Sequence, residues 1–501
     1  MNSFINKITN KYIEDKLFYV LYFIFMIIAV LYRLDVWLNE PGFFGDEGAL
    51  ISNISEKTFF QLLQGLNNFQ SCPIMFLYIN RIIYCFFGLN ENALRFIPFL
   101  CGIAVFFIIP ILCKKIFNSK YTAFLFISLL AFNDNIVYYS QEFKQYSSDV
   151  LITAIYLTLF FILKDKIIDK KTAISAGCIL GLSGFFSICS EFLIIAVIFY
   201  FLYKFIRNKT IIVNILIPYA VLSFIILLIT IIPSLNNGIL NSWVDEEFAF
   251  QSLEHFKNTV IYLSGFYSNN ILLISLFFAG LTAIFIKDKL LFFILTCPVL
   301  LNMISGLLNL YPFVANRAIL YLSIPVIIIC IYPIDFFLKY LIKKELIKNF
   351  LIIFLSIFVF ANMYNNRAVY EKGSSYYFIR CSAREYINAL KTRDVLKDDI
   401  IFVDTQGHGV FDVYDKNKKY INENRILYMV FNKPIDVYDS KGEINSLNEL
   451  PKNSKIYFYN SNFYTDAVNV NAVNLWIKEN CKILYSKKDI LGTLIYAEKV
   501  H

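Results

Sequence analysis

The sequence predicts an α-helical polytopic membrane protein of about eleven transmembrane helices, ending in a small α/β extracytoplasmic domain. Three observations carry this. Of 501 residues, 58% are hydrophobic and only 17% charged, against roughly 25% charged in soluble domains. The apolar residues come in blocks of about 16–24, near the ~20 that a helix needs to cross the ~30 Å hydrocarbon layer. From about residue 366, charge, Asn and Asp return, and apolar residues recur at strand and amphipathic-helix periods.

In chain order, the expected spans are 17–37, 95–113, 121–139, 147–163, 172–188, 190–206, 211–233, 270–286, 290–309, 318–338 and 349–364. The first is long, and no small-residue cleavage site follows it, so it reads as a retained helix rather than a signal peptide. A further apolar stretch, 73–88, carries Asn80 and Arg81 at its middle. Loop charge decides its placement, because short cytoplasmic loops are rich in Lys and Arg. With the N-terminus inside and 73–88 lying along the membrane face, the inner side collects Lys114, Lys115, Lys120, Lys164, Lys166, Lys170, Lys171, Lys204, Arg207, Lys209, Lys287, Lys289, Lys339, Lys343, Lys344 and Lys348. The outer connections keep Arg33, Lys57, Arg81, Lys144, Lys257 and Arg317. A crossing at 73–88 would reverse the bias. This parity makes the N-terminus cytoplasmic and the end of the chain extracytoplasmic, in a multi-pass cell-membrane protein.

The expected organisation is a membrane domain over 1–365, with a first outer loop 38–94, and an extracytoplasmic domain over 366–501. Within the latter, Ala383–Leu390 and Val473–Glu479 read as helices, and Asp399–Val403, Arg425–Val430, Lys455–Tyr459 and Leu491–Ala497 as strands. No internal repeat is visible, whereas many transporters are built from repeated halves. The net charge of +8 resides largely in the inner loops, facing anionic lipid. No contiguous basic run calls for a nucleic acid. Seven of the ten cysteines lie in or beside spans and read as small apolar residues. Cys72, Cys381 and Cys481 fall outside, where a Cys381–Cys481 disulfide is one option.

Polar residues gather at the outer ends of the spans. The first loop holds Phe43-Phe44-Gly45-Asp46-Glu47-Gly48. Two carboxylates at a membrane surface suit a general base, since partial desolvation raises a carboxylate pKa; they equally suit the first turn of a helix. A second cluster, Tyr138 to Asp149, includes Gln141, Glu142, Lys144 and Tyr146 and reads as a polar-ligand site or a solvated turn. The third, Tyr311-Pro312-Phe313-Val314-Ala315-Asn316-Arg317, places an Arg at the outer head of a span. There it either meets phosphate through its fork of donors or snorkels to the interface.

Taken together, these clusters resemble the GT-C glycosyltransferases that use lipid-phosphate sugars: the protein mannosyltransferases and, more closely, bacterial aminoarabinose and galacturonic acid transferases. The resemblance is carried by Gly45-Asp46-Glu47, Asn67-Asn68-Phe69-Gln70-Ser71-Cys72-Pro73, Phe87-Gly88-Leu89-Asn90-Glu91-Asn92-Ala93-Leu94-Arg95-Phe96-Ile97-Pro98, Tyr139-Ser140-Gln141-Glu142 and Tyr311-Pro312-Phe313…Arg317. It covers the first four spans well, the middle thinly and the last domain by architecture alone. It implies a sugar donor on a polyprenyl phosphate, a hydroxyl acceptor on a glycan, lipid or protein, and Asp46, beside Glu47, as the essential acid. Arg317 and Lys144, with Arg95, become candidates to stabilise the departing phosphate. The chain departs from the protein mannosyltransferases at Ser71-Cys72-Pro73, where their histidine and second proline are missing. No cofactor is required by this reading; a divalent ion stays open, with His255 as an isolated ligand candidate. Glu191 stands between two spans as a hairpin tip or cavity lining. A polysaccharide polymerase or ligase, and a lipid-linked sugar flippase, are the alternative readings.

Overall fold

In the computed structural model, the described residues are 2–38, 42–43, 45–68, 70–164, 169–206, 209–236, 252–268, 270–315, 317–367, 383–392, 399–403, 411, 413–415, 425–428, 447–461, 475–489 and 492–501. The chain divides into two compact units, one of Met1–Trp37, Thr58–Ile83 and Leu94–Arg367, the other of Leu38–Lys57, Tyr84–Ala93 and Ala368–His501.

The first unit is helical: α1 (Asn2–Leu38), α3 (Ile74–Phe87), α5 (Phe96–Ile116), α6 (Thr122–Ala131), α7 (Asp134–Tyr139), α8 (Tyr146–Leu163), α9 (Lys170–Ser183), α10 (Ser190–Lys204), α11 (Lys209–Ile226), α12 (Ile232–Asn236), α13 (Leu253–Ser264), α14 (Ile271–Lys287), α15 (Lys289–Leu307), α16 (Ser323–Leu341) and α17 (Glu345–Asn365). A π-helical turn, Leu227–Ile231, joins α11 to α12. Among the described residues, seven helical stretches are long and apolar enough to cross a membrane: Asp15–Leu38, Phe96–Ile116, Tyr146–Leu163, Lys209–Leu235, Lys289–Leu307, Arg317–Leu341 and Glu345–Asn365. The other expected spans meet the shorter helices α6, α9, α10 and α14. The chain is a multi-pass membrane protein. α3 has 14 residues, fewer than the ~20 a span needs.

The expected single span 121–139 is broken. After α6, Asn133 is extended (φ −66°, ψ 120°) and its side chain accepts the Ile136 N–H, capping a new helix, α7. The carbonyls freed at the end of α6 are taken by Arg33, whose Nη1 donates to Ala131 O (2.6 Å) and Nη2 to Leu130 O (2.9 Å). Arg33 was expected in an outer connection; it lies within α1, fully buried, over the Phe106 ring at 4.8 Å. Pro110 likewise lacks the N–H that the Phe106 carbonyl would receive in an unbroken helix, and the Tyr22 hydroxyl donates to that carbonyl instead (2.8 Å).

Small residues bring helices together where lipid gives no hydrophobic drive between them. A Cβ on Gly177 would stand 2.3 Å from the Ile215 carbonyl oxygen, and one on Gly181 2.6 Å from Leu222 Cβ, so α9 and α11 meet almost backbone to backbone. Gly280 does the same for α14 on α16, at 1.9 Å from the Ile329 oxygen. The buried Asp335 carboxylate of α16 accepts the Asn118 N–H (2.8 Å), the Asn118 amide (2.7 Å) and the Ser119 N–H (3.2 Å), fixing the loop before α6.

The second unit contains α2 (Gly45–Glu56), α4 (Glu91–Leu94, its last residue counted with the first unit) and α18 (Ala383–Lys391). It also holds strands β1 (Ile400–Val403), β2 (Arg425–Tyr428), β3 (Lys455–Ser461), β4 (Cys481–Asp489) and β5 (Gly492–Lys499). The sheet order is β2-β1-β3-β5-β4, with β1 parallel to β2 and β3, and β5 antiparallel to β3 and β4. The expected helix at 383–390 and all four expected strands are present. Residues 475–480 are helical, overlapping the expected 473–479 and running one residue past it. β4 was not expected: lysines at 482, 487 and 488 disguise it, and lysines are what an edge strand carries to resist pairing with other chains. Trp476, Ile477, Ile456, Phe458, Ile495 and Ala497 form the core of this unit. Cys381 lies outside the described residues, so the Cys381–Cys481 option does too.

Candidate functional site

The sequence-derived residues fall into two groups, one in each unit. In the second unit, Asp46 and Glu47 occupy the first turn of α2, where the helix dipole favours negative charge. Asp46 is half-buried and Glu47 fully buried, so the two adjacent carboxylates are not equivalent: only Asp46 offers part of its side chain to solvent. The chain just ahead of them is pinned. The buried Phe43 N–H donates to the Tyr414 hydroxyl oxygen (2.8 Å), and the two rings stand 5.9 Å apart. Tyr414 in turn donates to Glu91 Oε1 (2.9 Å), which also pairs with Arg384 Nη1 at 3.2 Å. One carboxylate thus joins the loop ahead of α5 to two positions in the C-terminal part of the same unit. Sequence reasoning quoted Glu91 only within a motif and missed Arg384 and Tyr414, which stand 293 and 323 residues away along the chain.

In the first unit, the turn between α7 and α8 carries Gln141, Glu142 and Lys144, all buried. The Gln141 amide Nε2 donates to the Arg33 carbonyl (3.3 Å) and to Ser140 Oγ (3.1 Å), so it holds the turn against α1. Lys144 Nζ donates to Gln70 Oε1, and the Lys144 N–H donates to the Glu142 carbonyl at 2.7 Å. Gln70 belongs to the Asn67–Pro73 stretch that carries part of the resemblance, yet it was not singled out. Beside it, the Cys72 thiol lies 3.5 Å from Gln145 Oε1. Burial pushes that thiol well above its ordinary pKa, against the pull of nearby Lys144.

Arg317 opens the 3-10 turn Arg317–Leu322 ahead of α16. It is half-buried, with its guanidinium carbon 5.7 Å from the centre of the Tyr146 ring, which stands edge-on to Tyr139 at 5.2 Å. The loop leading to it is folded back firmly: Phe313 fills the space that a Cβ on Gly306 would need, and Asn302 Nδ2 donates to the Pro312 carbonyl (3.3 Å). The Tyr311 hydroxyl donates to the Ala318 carbonyl (3.2 Å) and meets Cys189 Sγ at 2.8 Å. Burial raises the Tyr311 pKa well above its ordinary value, so this hydroxyl serves as a neutral strut. Beyond Cys189, at 3.8 Å, lies an oxygen of the buried Asp149.

The remaining candidates are placed as follows. Arg95 is fully buried at the head of α5. Glu191 lies in the first turn of α10, half-buried, and accepts the Tyr219 hydroxyl at 2.9 Å. His255 sits in the first turn of α13, its N–H capped by Ser252 Oγ. Among the described residues no three His, Cys, Asp or Glu side chains converge as metal ligands.

Residues 71–235 match the family model described as dolichyl-phosphate-mannose-protein mannosyltransferase. In three dimensions the chain is similar to ArnT from Cupriavidus metallidurans, in the apo state and in the form bound to undecaprenyl phosphate. Each comparison has a TM-score of 0.51 and 11% identity and covers 94% of this chain and 97% of that one. It also matches the apo oligosaccharyltransferase of Archaeoglobus fulgidus at a TM-score of 0.45 and 11% identity, over 88% of this chain and 69% of that one. No curated protein matches it in sequence. The fold is similar to that of ArnT, and the stretch 71–235 is similar to the mannosyltransferase family model.

Proposed function

We propose that this protein is a membrane glycosyltransferase that moves a sugar from a polyprenyl-phosphate donor to a hydroxyl acceptor on the outer face, with inversion. The observation that carries the reading is Asp46: a half-exposed carboxylate in the first turn of the first-loop helix, in a chain with the GT-C fold. The ArnT form bound to undecaprenyl phosphate supports a polyprenyl-phosphate donor.

In the step we infer, the acceptor oxygen attacks the anomeric carbon as Asp46 takes its proton. The bond from that carbon to the phosphate oxygen breaks, and its electron pair stays on the phosphate. Fixed cations stabilise that charge without reorganising at the moment of reaction. Arg317, held through the Tyr311 loop and Tyr146, and Lys144, held by Gln70, are suited to this. Arg95, fully enclosed, suits a supporting position.

Asp46→Asn keeps size and hydrogen bonding but cannot take a proton. It is expected to abolish transfer, measured with a polyprenyl-phosphate sugar in liposomes, while donor binding persists. In the wild type the rate falls as pH drops and the carboxylate is protonated. Near-normal transfer by Asp46→Asn would remove the base from this reading.

A further inference from the structure

We propose that the groove between α1 and α5 is a binding site for an anionic diacyl phospholipid of the phosphatidylglycerol type. The open groove has a volume of about 1050 Å³, just above the ~300–1,000 Å³ range of small-molecule sites. Its wall is apolar, built by Val20, Phe23 and Met26 of α1 and Phe107, Pro110 and Ile111 of α5. Among the described lining residues, the charges stand at one end. α1 runs away from Lys16 while α5 runs towards Lys114 and Lys115, so all three ammonium groups stand where the acyl region gives way to headgroups.

Charge complementarity selects the occupant. Among the described residues, Asp15 is the one acidic residue that lines the groove, and it is paired with Lys120. Lys16, Lys114 and Lys115 make no ion pair with any described residue and are exposed. A phosphate between them would be attracted by three positive charges. Two acyl chains would cover Val20 and Phe23, which are 51% and 54% exposed. The floor is fixed, because the Tyr22 hydroxyl binds the Phe106 carbonyl that Pro110 leaves without a donor. The basic-loop parity assigns this end to the cytoplasmic leaflet, where anionic lipids act on basic segments. The site therefore differs in side and in residues from the proposed transfer chemistry.

The test uses the full chain in detergent, with native mass spectrometry of bound phosphatidylglycerol against phosphatidylcholine of matched chains. A lysine near an anionic surface strengthens binding about fivefold, so the wild type should favour phosphatidylglycerol on the order of a hundredfold. Lys16→Ala, Lys114→Ala and Lys115→Ala combined should bring that preference close to one. Val20→Trp, at an exposed position that leaves the core intact, should expel both lipids without changing helix content or elution volume. Equal retention of the two lipids by the wild type, an unchanged preference in the triple variant, or displacement of phosphatidylglycerol by polyprenyl phosphate would overturn the proposal. The readout is binding, so failure of the transferase reading leaves it standing, and its own failure leaves that reading untouched.

Discussion

Replacing Arg33 with Met keeps the length and apolar stem of the side chain and removes its charge and donors. Two carbonyls at the end of α6 then lose hydrogen bonds of 2.6 and 2.9 Å, and the guanidinium over Phe106 is lost. Hydrogen bonds to a charged group are worth about 1.5–3 kcal/mol each, and a desolvated cation over a ring about 2 kcal/mol. A fully buried site has no water to replace them. Allowing for partial relaxation, the loss should be about 3 kcal/mol or more, concentrated at the break between α6 and α7. Because Gln141 donates to the Arg33 carbonyl, the turn bearing Lys144 should loosen as well. Unfolding in mixed micelles of rising SDS fraction, followed by helical circular dichroism, should rank wild type above Arg33→Lys above Arg33→Met. Hydrogen exchange should rise first around residues 130–145. A variant within about 0.5 kcal/mol of wild type, the size of an ordinary surface substitution, would mean that these carbonyls find other donors and that Arg33 does not set the break.

Other outcomes follow from the same geometry. Arg317→Ala should slow transfer about a hundredfold, as loss of one preorganised donor does, while Arg317→Lys keeps part of the rate; equal turnover in both would reduce Arg317 to an interfacial anchor. Single cysteines at Lys171, which is exposed, and at Ser440 should label oppositely with an impermeant maleimide on intact cells, Ser440 reacting and Lys171 protected; the reverse would put Asp46 in the cytoplasm. Burial pushes the Cys481 thiol up to about 11, against nearby Lys499. A raised pKa keeps the thiol neutral at ordinary pH, so its alkylation should keep climbing about tenfold per unit from pH 8 to 10, where an ordinary thiol levels off; a plateau near pH 9 would show an exposed thiol.

The membrane architecture was readable because hydrophobic length is a local property, and each block from 95–113 to 349–364 meets at least one helix. The break at Asn133 was not, because what permits it, a guanidinium from α1 on the last carbonyls of α6, is 97 and 98 residues away in the chain. Asp46, Lys144 and Arg317 could be singled out as charges beside apolar blocks. Their supports, Gln70, Tyr311 and Cys189, are neutral and acquire meaning only once helices are packed. The β4 strand was hidden for another reason: lysines at 482, 487 and 488 on an edge strand mask the apolar alternation that marks a strand.

Consider the order in which such a chain is made. The Glu91 carboxylate waits for a hydroxyl that lies 323 residues further on. Ribosomes add about 5–20 residues per second, so about 20–60 s pass before Tyr414 exists. During that interval the helix bearing Asp46 has been synthesised but its anchor has not, and every later span is inserted first. Nonsense mutations that spare all the spans but remove residues after 400 should therefore yield inserted protein whose first loop is cut by added protease. On the proposed reading, the acid would reach its anchored position only as the last sixth or so of the chain arrives, a built-in delay that keeps half-made molecules from acting on lipid-linked sugar.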